Sequence, residues 1–220
     1  MKKTRTRIGL AELEINNLLK KEEYKTLFKH RLLKKDSILY TDNISIVIIK
    51  HGSAKLSFFE DGDEFIIYHV LKNNITILDD SCALEFLEDS EIYSIELEDE
   101  KDIFQSFEFN KITNEALIEI ILLQRKIIKS ILYESAKGRI ANFLIELAKE
   151  QDLKQNSYYY VFLPFSVKVL SSFVGLKRQS ASTAFNELIK DDIIRKLTAH
   201  EFLIIDFNAL QSYTNYNCLD

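Results

Sequence analysis

The stretch from Pro164 to Lys196, PFSVKVLSSFVGLKRQSASTAFNELIKDDIIRK, constrains the fold more than any other part of the chain. It holds two short helical patterns separated by a glycine. In the first, Val167, Leu170 and Phe173 recur near a 3.6-residue period. Gly175 then offers a residue that can enter the left-handed region without a Cβ clash. The second pattern opens at Arg178-Gln179-Ser180 and turns Ala181, Ala184, Phe185 and Leu188 inward. Between these apolar positions lie Lys177, Arg178, Gln179, Ser180, Ser182 and Thr183. Each can donate a hydrogen bond and none is acidic. A buried rear face with a donor-rich first turn is what a helix-turn-helix needs, because its second helix must reach phosphates and base edges in a major groove.

Two-helix hairpins with a glycine also occur without this role, so the flanking residues matter. Asp191 to Lys196 ends the second helix, and Thr198-Ala199-His200-Glu201 leads into the β-type run Phe202-Leu203-Ile204-Ile205. Helix, helix, β-hairpin is the order of a winged helix. Upstream, Ser135 is a good N-cap for a helix carrying Ile140, Phe143, Leu144, Leu147 and Ala148. Tyr158 to Leu163 reads as a strand beside the wing; a base-stacking platform is the other use of its three tyrosines.

The first half has a different rhythm. Leu10 to Phe28 is helical in pattern, with Leu10, Leu13, Leu18, Leu19 and Leu27. Short strand signals follow at 44–49, 54–59, 65–71, 75–78, 82–86 and 92–97, with a hairpin turn at Asp61-Gly62 and another turn at Asn73-Asn74. Many short strands at regular spacing predict a double-sheet roll or barrel. Lys111 to Tyr133 then reads as one helix about 35 Å long, too densely apolar for a single stripe. One face can cover the roll. The rest needs a partner, most simply the same helix of a second subunit, unless the helix is the core of a single domain.

In order and spacing the chain resembles the Crp/Fnr superfamily of bacterial transcription regulators. The residues that carry the resemblance are Gly138-Arg139-Ile140-Ala141 with Leu144 and Leu147-Ala148, Gly175-Leu176, and Arg178-Gln179-Ser180 with Leu188, Ile193 and Ile194; Val47 to Leu56 is similar to the glycine-containing hairpin of that family's sensor domain. The resemblance implies an α+β fold. A jelly-roll-like β-roll with an N-terminal helix is expected over 1–109, a dimerisation helix over 110–134 and a winged helix-turn-helix over 135–220. It implies a cytoplasmic homodimer, joined through Lys111 to Tyr133, that binds a palindromic operator in double-stranded DNA and contacts RNA polymerase. The expected DNA-binding residues are Lys168, Lys177, Arg178, Gln179, Ser180, Ser182 and Thr183, with Arg178, Gln179, Ser182 and Thr183 facing the bases. Well-known relatives carry Glu in place of Gln179 and Arg in place of Thr183. Arg bidentate to guanine is worth about 1–3 kcal/mol of discrimination and Gln suits adenine, so a different half-site is expected.

Charge divides the chain. Residues 1–35 hold eleven Lys/Arg against four Asp/Glu, 36–108 hold four against eighteen, and 109–220 hold fourteen against twelve. The acidic middle is unsuited to nucleic acid; local clustering around Lys168, Lys177 and Arg178, with Arg195 and Lys196, has to supply the attraction. Two cysteines, Cys82 and Cys218, make neither a disulfide framework nor a metal-ligand spacing and fit a reducing compartment. No apolar run approaches the ~20 residues of a membrane span, and the basic start Met1 to Arg7 is not followed by a secretion-type apolar region.

The effector is argued mostly by exclusion. The resemblance would place an arginine beside a Gly-Glu turn for a cyclic-nucleotide phosphate, yet no arginine lies between Arg31 and Arg125. Four cysteines for an Fnr-type iron–sulfur cluster are lacking. Haem stays open, with His30, His51, His69 and His200 as candidate axial ligands. So do a redox role for Cys82, although nothing basic in sequence lies beside it, and control by abundance alone. No phosphate-binding glycine loop, His-Glu-x-x-His motif or nucleophile elbow points to an enzyme. Asp79, Asp80, Glu85, Glu88 and Asp89 read as a solvated acidic face rather than a divalent-ion site. A module whose helix-turn-helix no longer reads DNA is the competing function.

Overall fold

The computed structural model describes residues 10, 13–15, 19, 27–98, 106–155, 157–163 and 165–214. Most of the N-terminal helical pattern, Met1 to Arg7, Pro164 and Cys218 lie outside them. The chain divides into two compact units, 1–125 and 126–220.

The first unit is built on two four-stranded antiparallel sheets. The strands are β1 (Lys29–Leu33), β2 (Ile38–Leu39), β3 (Ser45–His51), β4 (Ala54–Glu60), β5 (Asp63–Val70), β6 (Asn74–Leu78), β7 (Cys82–Phe86) and β8 (Ser90–Glu96). One sheet has the order β1-β8-β3-β6 and the other β2-β7-β4-β5, so every connection except the β4–β5 hairpin crosses between sheets, as in a roll. Alternation along each strand sorts the faces. Ile46, Ile48, Ile75 and Ile95 join Ile15, Leu19 and Phe28 in a core that also takes Phe109, Ile112 and Ala116 of the long helix α1 (Phe107–Tyr133). A buried hydroxyl pair, Tyr68 Oη to Thr76 Oγ1 at 2.8 Å, links β5 to β6 across the two sheets. The expected roll is present, and β4 and β5 meet through a turn at Asp61 and Gly62.

The second unit begins inside α1. It continues with α2 (Ala136–Gln151), β9 (Lys154–Gln155), β10 (Tyr158–Phe162), α3 (Val167–Val174), α4 (Arg178–Lys190), β11 (Ile194–Lys196), β12 (Glu201–Ile204) and α5 (Phe207–Ser212). Ser135 caps α2 as expected, its Oγ accepting the Gly138 N–H at 3.1 Å. A glycine is needed at 138 because a Cβ there would lie 2.8 Å from the Tyr213 carbonyl oxygen. The sheet order is β11-β12-β10-β9, so the triple-tyrosine run is a strand paired with the wing. Where β9 gives out, Gln151 takes its place: its Nε2 donates to Phe162 O at 2.6 Å and its Oε1 accepts from Phe162 N at 2.8 Å. The side-chain amide thus imitates a strand residue and closes part of an open edge.

Candidate nucleic-acid interface

The turn between α3 and α4 follows from its residues. Ser166 accepts the Val169 N–H at the start of α3. Gly175 ends the helix at φ 63° and ψ 44°, where a side chain would be strained. Leu170, Phe173 and Val174 of α3 and Ala181, Ala184, Phe185 and Leu188 of α4 are buried. Phe173 packs on Phe143 and Phe165 with ring centroids 5.6 and 5.1 Å away, and Phe185 meets Phe202 of the wing edge-on at 5.0 Å. These contacts hold the rear of α4 rigidly, so its front is a fixed surface.

That front is free of internal partners. Lys177 occupies the N-cap of α4 without a side-chain cap bond, leaving the first-turn N–H groups available to an acceptor from outside. Lys177, Arg178, Gln179, Ser180 and Thr183 are exposed and Ser182 is half-buried; Lys168 is exposed in the first turn of α3. Among the described residues, none of these seven side chains makes a hydrogen bond or an ion pair; it is the Lys168 backbone carbonyl that accepts from the Ser171 hydroxyl at 2.6 Å. The acids nearby are occupied: Glu187 and Asp191 take Lys137 at 2.9 and 3.5 Å. Arg195 pairs with Asp192 at 3.1 Å; both are well exposed, so the pair is weak. In the wing loop Thr198 Oγ1 accepts the N–H groups of His200 and Glu201 at 3.2 and 3.1 Å. His200 exchanges bonds with Leu163, its carbonyl accepting the Leu163 N–H at 2.7 Å and its Nδ1 lying 2.9 Å from the Leu163 carbonyl.

One functional arrangement has no signal in the sequence beyond the family motif that contains it. The Arg139 guanidinium donates to four carbonyl oxygens. Nε reaches Glu134 O at 3.3 Å and Nη2 reaches Ile131 O at 2.7 Å, at the end of α1. Nη1 reaches Val174 O and Gly175 O at 3.3 and 3.0 Å, at the end of α3. A cation at two helix C-termini meets two sets of unpaired carbonyls and two negative dipole ends.

A second surface lies on α1. Ile118, Ile121, Ile128 and Leu132 are 54, 47, 55 and 66% exposed, at steps of three and four residues that keep them on one stripe. Arg125 completes the stripe between Ile121 and Ile128 and is exposed.

In the roll, the Lys55 ammonium lies 2.8 Å from Glu64 and 3.0 Å from Glu85 and is nearly buried. Burial acts to lower its pKa, but the hydrogen bonds to the two carboxylates outweigh it and the net shift is upward. His69, opposite Lys55 on β5, is driven down to about 4 by burial and then by the Lys55 charge. Burial pushes the Cys82 thiol up to about 11. His30 is held by Glu91 at 3.0 Å and stacks on Tyr93. The acidic residues named above are dispersed: Glu85 on Lys55, Glu88 on Ser53, Asp89 on Lys34, Asp79 on Ser81. Among the described residues no group of three or more His, Cys, Asp or Glu is placed to hold a metal ion.

Residues 138–213 match the profile of the Crp-like helix-turn-helix domain. This part of the chain is a Crp-like helix-turn-helix domain. Solved structures extend the likeness over both units, and at their identities it is a likeness of fold: the chain has the fold of the Crp/Fnr regulators. A mutant form of CooA from Carboxydothermus hydrogenoformans superposes with a TM-score of 0.77 at 21% identity, covering 93% of this chain and 97% of that chain. A crp/fnr-family regulator from Eubacterium rectale gives 0.67 at 19%, covering 91% and 97%. The c-di-GMP-responsive global regulator CLP of Xanthomonas campestris gives 0.64 at 17%, covering 83% and 96%. CooA is a CO-dependent transcription factor. No curated protein matches the sequence. Within the matched residues the unpaired front, Lys168 of α3 excepted, belongs to α4 and its N-cap, the second of the two helices flanking the Gly175 turn.

Proposed function

We propose that the protein is a sequence-specific, DNA-binding transcription regulator that acts as a homodimer on a palindromic operator. The observation that carries the reading is the front of α4: Arg178, Gln179, Ser180, Ser182 and Thr183, with Lys177 at the N-cap and Lys168 on α3 beside them, are donor side chains without internal partners, on a helix whose rear is held by aromatic packing. Lys168, Lys177 and the first-turn N–H groups bind phosphates, which give affinity and register; Arg178, Gln179, Ser182 and Thr183 meet base edges, which give sequence choice, with Ser180 beside them. The exposed stripe of α1 supports the dimer. Buried against its copy, each of its apolar side chains contributes on the order of 1 kcal/mol. Two-fold symmetry then sets half-sites about one helical turn apart. Among the described residues no helix is long and apolar enough to cross a membrane; the reading places the protein in the cytoplasm, in contact with RNA polymerase.

A signal at the roll controls the two recognition helices. Redox control through Cys82 is the weakest form of this idea, because a thiol held near pKa 11 is protonated at neutral pH. His69 keeps the neutral imidazole that a haem iron would need, and Lys55 lies across from it in the strand register. Selection of fragmented genomic DNA by the purified protein at stated salt tests the reading. An enriched palindrome is expected. Arg178→Ala should weaken binding and lower the salt slope, and Gln179→Ala should relax one base position. Binding that is equal for all sequences would overturn it.

A further inference from the structure

Resting on that reading, we infer that Asn186 is a base-reading residue of α4 and that, with Gln179, it makes each half-site carry two adenines about three base pairs apart. The argument begins with direction. At about 100° per residue, positions 179 and 186 point within about 20° of each other, and 182 and 183 flank them. The buried positions Ala181, Ala184, Phe185 and Leu188 fill the opposite arc. Gln179, Ser182, Thr183 and Asn186 therefore occupy offsets 0, 3, 4 and 7 of one outward face. The same offsets are used by a homeodomain recognition helix to span a major groove.

Chemistry separates Asn186 from an ordinary solvated residue. It is exposed, and no hydrogen bond among the described residues engages its amide. The face is neutral between its ends and cationic at both: Lys177 and Arg178 open it and Lys190 closes it, also exposed and without an ion pair among the described residues. The next acid, Glu187, is drawn aside to Lys137. Cations at the ends can meet phosphates, while the neutral amides and hydroxyls between them can meet base edges. An amide both donates and accepts, which matches N6 and N7 of adenine, and the Thr183 methyl suits a thymine methyl. Seven residues at ~1.5 Å rise separate the two amides by about 10 Å along the groove, close to three steps of ~3.4 Å.

The test is selection from a random DNA pool by the full chain, by Asn186→Ala and by Gln179→Ala, each at two salt concentrations. The unaltered protein should enrich half-sites with two adenine positions about three base pairs apart. Asn186→Ala should lose the preference at one of them only, with a roughly 5- to 150-fold fall in affinity for the best site. Its salt slope should stay unchanged, since no charge is removed, and so should its thermal unfolding. If a palindrome is enriched and Asn186→Ala selects the same sequence as the unaltered protein, the inference falls and the regulator reading stands. If the unaltered protein enriches nothing at either salt, both fall together.

Discussion

A single arginine of the Crp-like domain ties together two helix ends. Arg139 satisfies carbonyls at the ends of α1 and α3 with one planar group. Lysine has the charge but not the fork, so Arg139→Lys should keep little of the effect. We expect Arg139→Ala to destabilise the domain by about 2–3 kcal/mol and to weaken specific DNA binding although the residue faces no DNA. Arg139→Lys should recover less than half of either loss, as read by denaturant unfolding and by affinity for the selected palindrome; full recovery would show that charge alone matters there. The role was not legible beforehand. Two of its acceptors are backbone atoms some 35 residues away, and main-chain carbonyls leave no trace in side-chain pattern. By contrast, the inward set of α4 and the Gly175 turn were readable, because both depend on residue type within a dozen positions.

Among the elements, the strands of the roll from β3 to β8 emerged within one or two residues of their observed bounds. All but β7 (Cys-Ala-Leu-Glu-Phe) hold β-branched or paired aromatic residues, and turn residues separate them. β1 did not. Its Lys-His-Arg-Leu-Leu continues a helical pattern and carries the charges of an edge strand, with Lys29 tied to Glu96 at 2.6 Å. β2, β9 and α5 are two, two and six residues long, below the length at which periodicity can be seen. The long helix was plain from its apolar density, and the structure adds where the surplus lies. Arg125 interrupts the outward stripe at its centre, so in a two-fold seam it would face its own copy. Arg125→Leu should tighten self-association at least tenfold, measured by dilution in sedimentation, and should remove a strengthening of the native dimer by salt. An unchanged dissociation constant would mean that α1 does not form the seam.

At the scale of the whole chain, two units imply two unfolding steps, and only the one belonging to 1–125 should respond to the histidine on β5. His69 titrates near pH 4 when folded and near 6.5 when unfolded. Between those values the unfolded chain binds more protons, so the contribution is complete above pH 6.5 and is lost as the pH falls to 4, about 3 kcal/mol in all. His69→Asn should flatten that part of the profile while the second transition stays put; an equal slope in both proteins would refute the assignment. Charge is also arranged at this scale. With four Lys/Arg against eighteen Asp/Glu over 36–108, this segment is unsuited to a polyanion, which agrees with a DNA contact confined to the C-terminal unit in the proposed reading.

The grip of Arg139 has a mechanical corollary. A joint works by having play, and here the play has been taken out: the last turn of α1 and the bend that leads into α4 are fastened to the same rigid plate. Ile131 and Gly175 are one guanidinium apart. Under the proposed reading, a push along α1 would reach the head of α4 through this one group, while residues 178–186 could change the sequence they prefer without touching it.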